Sequence, residues 1–339
     1  MIRISAIICT FKRPAYLAVA LQSLLEQTLA RDDYEIVVVD NAVQLETQQV
    51  VKSHETGGVN LRYVPEPRVG LSIARNTGLL VAAAPYVAFL DDDARAETQW
   101  LQASVSAFEQ TVPSPAAVGG PVSLDWHGER PAWVPEQHLP LFTCVDHGAT
   151  ARALDKDEYL VGANLAFDKD ELLALGGFDS NLGRQGAVLL SGEESAILAQ
   201  LREKQLIVYY EPAAHVWHSV DDTRKRRSWL VRRLFWDGAS QPLIDLGSQE
   251  ISRRFTFANA CTDVRECARW IGRALVSLVT GKQNHAWESF LGFAQRAGRL
   301  RTQLHLLARG RWHPVSNISE QKNSDSITHA NELDTGKVV

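Results

Sequence analysis

No apolar run in this chain reaches the ~18–20 residues that a helix needs to cross a bilayer. The best candidate, Trp270 to Val279, is short and contains Arg273. Cysteine is scarce too: Cys9, Cys144, Cys261 and Cys267 are scattered and form no C-x-x-C pair. At 339 residues the chain is long enough to fold without disulfide staples, so a reducing cytoplasm is the simpler setting, with peripheral contact at the inner face of a membrane as its one extension. The N-terminus lacks a signal peptide, because Arg3 is followed by Ile4 to Cys9 with no small-residue cleavage site, which reads as a first strand. There is no internal repeat. There is also no G-x-G-x-x-G: the first strand runs into Cys9-Thr10-Phe11-Lys12-Arg13-Pro14, which counts against a dehydrogenase or methyltransferase of Rossmann type. Positive charge is not in excess either. A net charge of −5 and a pI near 6.1 exclude nucleic-acid binding by bulk electrostatics.

What is present is ordinary globular material, 45% hydrophobic and 22% charged. The length suggests about two domains, or one α/β domain of ~200–250 residues with an appendage. Short β-branched runs at Ile4–Ile8, Glu35–Val39, Leu61–Val64 and Tyr86–Leu90 read as buried parallel strands. Helices are expected from Pro14 and over Leu71–Ala83. This order predicts a doubly wound sheet with helices on both faces, and such sheets bind ligands beyond the carboxyl ends of their strands. Residues 113–157 are rich in Pro, Gly and Trp and read as a lid or binding loop around Trp126 and Trp133. Next come a strand-like Tyr159–Phe167, a helix over Lys169–Leu175, a turn at Gly176–Asp179, a helix over Glu193–Glu203 and a strand at Ile207–Tyr210. After Val220 the chain turns basic and aromatic. The expected organisation is an α/β domain over residues 1–220, a helical extension over 221–312 and a disordered tail over 313–339.

Chemistry concentrates at strand ends. Asp91, Asp92 and Asp93 repel one another unless they share a cation, and their hard oxygens suit Mg²⁺ or Mn²⁺; the bland alternative is a solvated acidic turn. Asp40 either grips a ribose hydroxyl or caps its turn. Arg75 either offers its planar fork to a phosphate or forms an internal salt bridge. Glu194 either serves as a general base or, with Ser191, completes an S-x-x-E capping box. Of His215 and His218, three apart on a strand, only one is expected to reach the site. The stretch 224–236 admits two readings, a contact with an anionic membrane or a helix packing its Trp and Leu onto the protein.

Taken in order, these segments resemble the family 2 glycosyltransferases. The resemblance rests on Ile8 to Pro14, Val37 to Asn41, Ala74 to Gly78, Phe89 to Ala94, Gly119 to Pro121, Val161 to Phe167, Gly176 to Asp179, Gly192 to Glu194, and Tyr210 through His218. It covers about Ile4 to Val220, and it implies that residues 1–110 or so bind the nucleotide sugar and that residues 111–220 or so form the acceptor and catalytic part. It implies a GT-A type, Rossmann-like doubly wound mixed sheet with a helical C-terminal extension. It also implies an inverting enzyme that moves a sugar from a nucleoside-diphosphate sugar to a saccharide or lipid-linked acceptor, in cell-surface polysaccharide or glycolipid synthesis. By the same resemblance Thr10 and Asp40 hold base and ribose, Arg75 helps hold the nucleotide, Asp92 touches the ribose, and Asn164 with the Gly176 to Asp179 turn lines the donor sugar or the acceptor side. Asp91, Asp93 and His218 take the metal, Mn²⁺ or Mg²⁺, and Glu194 is the base, with Glu193 as the competing choice. A non-catalytic scaffold of the same fold is the remaining alternative. Oligomeric state is not legible.

Overall fold

The computed structural model describes residues 1–55, 58–186, 188–246 and 253–309. The expected disordered tail at 313–339 lies outside the described residues.

Four parallel strands, β1 (Ile4–Thr10), β2 (Tyr34–Asp40), β3 (Asn60–Pro65) and β4 (Tyr86–Asp91), form one half of an eight-stranded sheet in the order β3-β2-β1-β4. Alternation along β1 and β2 divides their side chains between two cores. Ile4, Ala6, Ile8, Ile36 and Val38 face the layer of α1 (Pro14–Leu25). Ile7, Val37 and Val39 face α3 (Leu71–Val81). Both faces are covered, and this explains why these strands read as continuous apolar runs. Pro14 at the first turn of α1 costs no hydrogen bond.

Two helices are absent from the sequence reading. One is α2 (Leu45–His54), which buries just Thr47 and Val51; the other is α4 (Trp100–Gln110), with Trp100, Leu101, Val105 and Phe108 inside.

The second half of the sheet is mixed. Strand β9 (Asn164–Asp168) lies antiparallel between β4 and β6 (Ala117–Gly119), and β10 (Val208–Tyr210) runs parallel to β6 and antiparallel to β8 (Arg152–Ala153). The expected strand over 159–167 is thus shorter, starting at Asn164. A separate three-stranded sheet joins β5 (Ala94–Ala96), β11 (Val216–Ser219) and β7 (Val122–Asp125). Its register sets His218 opposite Ala94, the residue after Asp93.

Residues 113–157 are not a free flap. Trp126 packs on Phe142 at 5.1 Å between ring centroids, and Trp133 meets Trp287 edge to face at 6.1 Å. With Leu230, Leu234 and Leu291 they form a third core cluster. That cluster fastens α7 (Arg227–Leu246) and α9 (Gln283–Arg309) to the sheet domain, and α8 (Arg253–Val279) packs on α9. Of the two readings of 224–236, packing onto the protein is the one observed: Leu230 and Leu234 are buried, and Arg227 lies over the rings of Trp133 and Trp287.

Candidate active site

The carboxyl end of β4 carries the acidic triplet. Asp91 is the last strand residue and the chain turns at Asp92-Asp93. Thr10, at the end of β1, donates its hydroxyl to Asp92 Oδ2 at 2.8 Å. Arg13 Nη1 donates to Asp92 Oδ1 at 3.2 Å and to Asp93 Oδ2 at 2.8 Å. Arg224 also donates to Asp93 Oδ2. Burial and the adjacent Asp93 push Asp92 up to about 6. Burial works against ionisation of Asp93 too, yet Arg224, His218 and Arg13 hold it well below the usual carboxylate range.

One oxygen of Asp91, one of Asp93 and a ring nitrogen of His218 lie within 4.8 Å of one another. Nε2 of His218 is 3.2 Å from Asp93 Oδ1. Asp93 Oδ1 and His218 Nδ1 are buried with no hydrogen-bond partner among the described residues. Two carboxylates and an imidazole this close together, with one carboxylate oxygen buried without a hydrogen bond, fit a small divalent cation. The Arg224 guanidinium, whose Nη1 is 3.2 Å from His218 Nε2, shares the same corner. His215 is turned elsewhere and meets Ser123 Oγ at 2.9 Å, so one histidine of the pair reaches the site.

Each residue of the stretch Arg75-Asn76-Thr77-Gly78 on α3 is engaged inside the protein. Arg75 is buried and bridges Glu193 Oε1 at 2.7 Å and Asp91 Oδ1 at 3.2 Å. Gly162 gives it room, since a Cβ there would strike the guanidinium. Asn76 holds the Gly177-Phe178 turn through two 2.8 Å bonds to the Phe178 backbone. Thr77 donates to Glu66 at 2.6 Å. Gly78 lies against Ile7 and Val39. Arg75 therefore acts as an internal tie between two acidic elements, the salt-bridge reading of this residue.

Glu193 and Glu194 open α6 (Glu193–Glu203). The capping box does not form: Gly192 is the N-cap, at φ 98°, and no side chain caps the helix. Glu193 is consumed by Arg75. Oε2 of each glutamate is buried without a hydrogen-bond partner among the described residues, and what sets Glu194 apart is that Arg75 pairs with Glu193 instead. Burial, then the negative charge of Glu193, push Glu194 up to about 7, outweighing the helix N-terminus that favours its ionised form.

Two cavities meet here. One, of about 150 Å³, is lined by Thr10, Arg13, Asn41 and Asp91 to Asp93; the other by Arg75, Gly162, Thr143, Glu193 and Glu194. Leu71, Asp91 and Arg184 border both.

Two residues expected to contact the donor, Asp40 and Asn164, are engaged within the protein. Asp40 caps its own turn: Oδ1 accepts from the amides of Ala42 and Val43, and Oδ2 from Gln44 and the Tyr63 hydroxyl. It does not line either cavity. Asn164 is a buried strut, accepting from Trp100 Nε1 at 2.7 Å and donating to the carbonyls of Pro121 and Ala214. Its amide has no face left for a sugar. Conversely, Arg13, Arg184 and Arg224 surround the acidic cluster, and the sequence reading gave none of them a role. Arg13 stands within a quoted segment, while Arg224 is hidden in a basic stretch that reads equally well as surface.

An open α/β sheet with an acidic cluster at one strand end and two buried carboxylates in the adjoining cavity is an arrangement suited to group transfer. Comparison narrows the class. The profile of glycosyl transferase family 2 matches residues 5–154. A glucosyl-dolichyl phosphate glucuronosyltransferase of Haloferax volcanii is 31% identical over 248 residues, 72% of this chain and 78% of that protein. The succinoglycan biosynthesis protein ExoM of Rhizobium meliloti is 28% identical over 236 residues, 68% of this chain and 71% of its own. A mannosyltransferase from Pyrobaculum calidifontis, solved in complex with GDP-Man and Mn²⁺, shares the fold with a TM-score of 0.53 at 18% identity, covering 98% of this chain and 81% of that one. The chain belongs to glycosyl transferase family 2. Its fold is the GT-A mixed α/β sheet with C-terminal helices, and its activity is glycosyl transfer, so the dehydrogenase, methyltransferase and scaffold readings fall away.

Proposed function

We propose that the protein transfers a sugar from a nucleoside-diphosphate sugar to a hydroxyl of a lipid-linked or polysaccharide acceptor, with inversion and with a divalent cation, Mn²⁺ or Mg²⁺. The observation that carries this reading is the pairing of an acidic cluster with Glu194, a buried carboxylate that Arg75 leaves without an ion pair, across adjoining cavities. The relatives favour it: one is named for transfer to glucosyl-dolichyl phosphate, another for succinoglycan synthesis, and a structural neighbour binds GDP-Man with Mn²⁺.

Asp91, Asp93 and His218 would hold the cation. When bound, it neutralises the charge that grows on the departing diphosphate. Arg13, Arg184 and Arg224 add fixed positive charge around the same corner, a preorganised field for an anionic leaving group. Thr10 fixes Asp92 at the rim of the nucleotide cavity. Glu194, with a value near neutrality, accepts the proton of the acceptor hydroxyl as that oxygen attacks the anomeric carbon from the face opposite the leaving group. Arg75 keeps Glu193 engaged, which leaves Glu194 as the free base. One displacement inverts the anomeric centre, and the described site presents no nucleophile poised for a covalent intermediate.

The test is the anomeric configuration of the product by proton NMR, with an accepted donor, for the wild type and for Glu194→Gln. Inversion, and turnover reduced at least 100-fold in the variant with nucleotide binding intact, is the expected result. Retention of configuration, or an unimpaired variant, would overturn the proposal.

A further inference from the structure

The C-terminal helices carry a surface that the transfer reaction does not use. Helix α8 presents Phe257, Cys261, Val264, Ala268, Ile271, Leu275 and Leu278 at alternating spacings of four and three residues, and all seven are exposed. Phe257 is 62% exposed, Leu275 58% and Leu278 60%. Contiguous apolar exposure of this kind marks a contact surface. At ~1.5 Å per residue the stripe runs about 30 Å. Beside it stands a basic row at helical spacing, Arg265, Arg269 and Arg273, all exposed, with Lys282 just beyond the helix end. The segment from Arg253 to Arg309 holds ten Arg and Lys against three Asp and Glu, in a chain whose net charge is −5. The basic residues are thus gathered onto the helical extension.

We infer that α8 lies flat on an anionic lipid surface, with its apolar stripe among the acyl chains and its arginine row at the headgroups. Charge complementarity selects this occupant. A second copy of the chain would bring an identical arginine row against the first. Residues 310–339 are dominated by Asn, Ser, Thr and charged side chains, and their sequence offers no apolar series of matching length. No described helix is long and apolar enough to cross a bilayer, so the contact is lateral. This moves the expected membrane contact from 224–236, whose apolar residues are inside the fold, to the next helix. A groove of about 850 Å³ supports the placement. It lies along α8 and α9, is lined by Trp270, Arg273, Val276 and His285, and includes Gln137 and His138. The segment bearing those two residues continues to Pro140 and Thr143, which line the Glu194 cavity. A lipid-linked acceptor entering beside α8 would have a protein wall leading to the base.

Sedimentation with vesicles tests the inference. The full-length protein should bind vesicles containing phosphatidylglycerol at least tenfold better than pure phosphatidylcholine, and lose most of that preference in high salt. The double variant Ile271→Glu, Leu275→Glu should abolish binding, and Arg265→Gln with Arg269→Gln and Arg273→Gln should remove the salt dependence. All these positions are exposed, so unchanged melting temperatures are expected and serve as the folding control. Vesicle binding that survives both variants would overturn the inference. So would a dimer in sedimentation velocity that the double Glu variant dissociates, in a protein indifferent to vesicles.

Discussion

Glu194 and Glu193 are chain neighbours at one helix terminus, yet they have different chemistry because one arginine chooses between them. Arg75 neutralises Glu193 and leaves Glu194 buried beside a negative charge. The consequence can be read in solution. The folded-state value of Glu194, about 7, lies above its ordinary 4.5, so between those values the folded state holds more protons than the unfolded one. Stability therefore falls as pH rises through that window. Glu194→Gln escapes this cost: thermal melts should coincide with the wild type near pH 4 and favour the variant above pH 7. Activity runs the other way, since a base must be ionised, and kcat/KM should rise through pH 7. Glu193→Gln should shift that limb to lower pH. A limb unmoved by Glu193→Gln would mean that another group titrates. Arg224 offers a second residue-scale test. Removing one partner of a buried ion pair costs on the order of 3 kcal/mol, so Arg224→Ala should melt earlier in EDTA. Mn²⁺ should restore more stability to the variant than it adds to the wild type, because it replaces the lost cation beside Asp93. Equal Mn²⁺ shifts in calorimetry would show that Arg224 and the ion do not share that corner.

At the scale of elements, the close fit of α3 on the sheet places Arg75. A Cβ on Gly78 would stand 2.6 Å from Ile7 Cγ2 and 3.3 Å from Val39 Cγ2. Gly78→Ala should cost ~1–3 kcal/mol by overpacking, measured as a lower urea midpoint, and should weaken turnover by displacing Arg75; a wild-type midpoint would contradict the packing argument. This half of the fold was legible because its signals are local. The strands ending at Thr10, Asp40 and Asp91 are buried on both faces and read as unbroken apolar runs. The sheet of β5, β7 and β11 was not legible, since its strands are three or four residues long and pair across roughly 95 to 120 positions of sequence. Helix α2 escaped because it gives the core too little to make a pattern, whereas α4 carries Trp100, Leu101, Val105 and Phe108 at helical spacing. The candidate site divides in the same way. Asp91, Asp93 and Glu194 stand where strand-end and helix-start logic puts them. The saturation of Asp40 and Asn164, and the arrival of Arg224 at Asp93, depend on contacts between distant segments that local pattern does not encode.

The whole molecule distributes its charge between two regions. Carboxylates and arginines interleave at the open edge of the sheet, and excess basic charge is carried away to the helical extension. The extension is fastened to the sheet domain through Phe142, Trp229, Trp287 and Leu230, so its position is tied to the same segment that lines the Glu194 cavity. The central claim is that Asp91, Asp93 and His218 clasp a divalent ion against a nucleoside diphosphate. Titration calorimetry of UDP and GDP, with Mn²⁺ and with EDTA, measures this directly. The account predicts that Mn²⁺ tightens one of the two nucleotides by at least tenfold and that Asp93→Asn erases the gain. Nucleotide binding equally tight in EDTA, or a Mn²⁺ effect undiminished in Asp93→Asn, would contradict it.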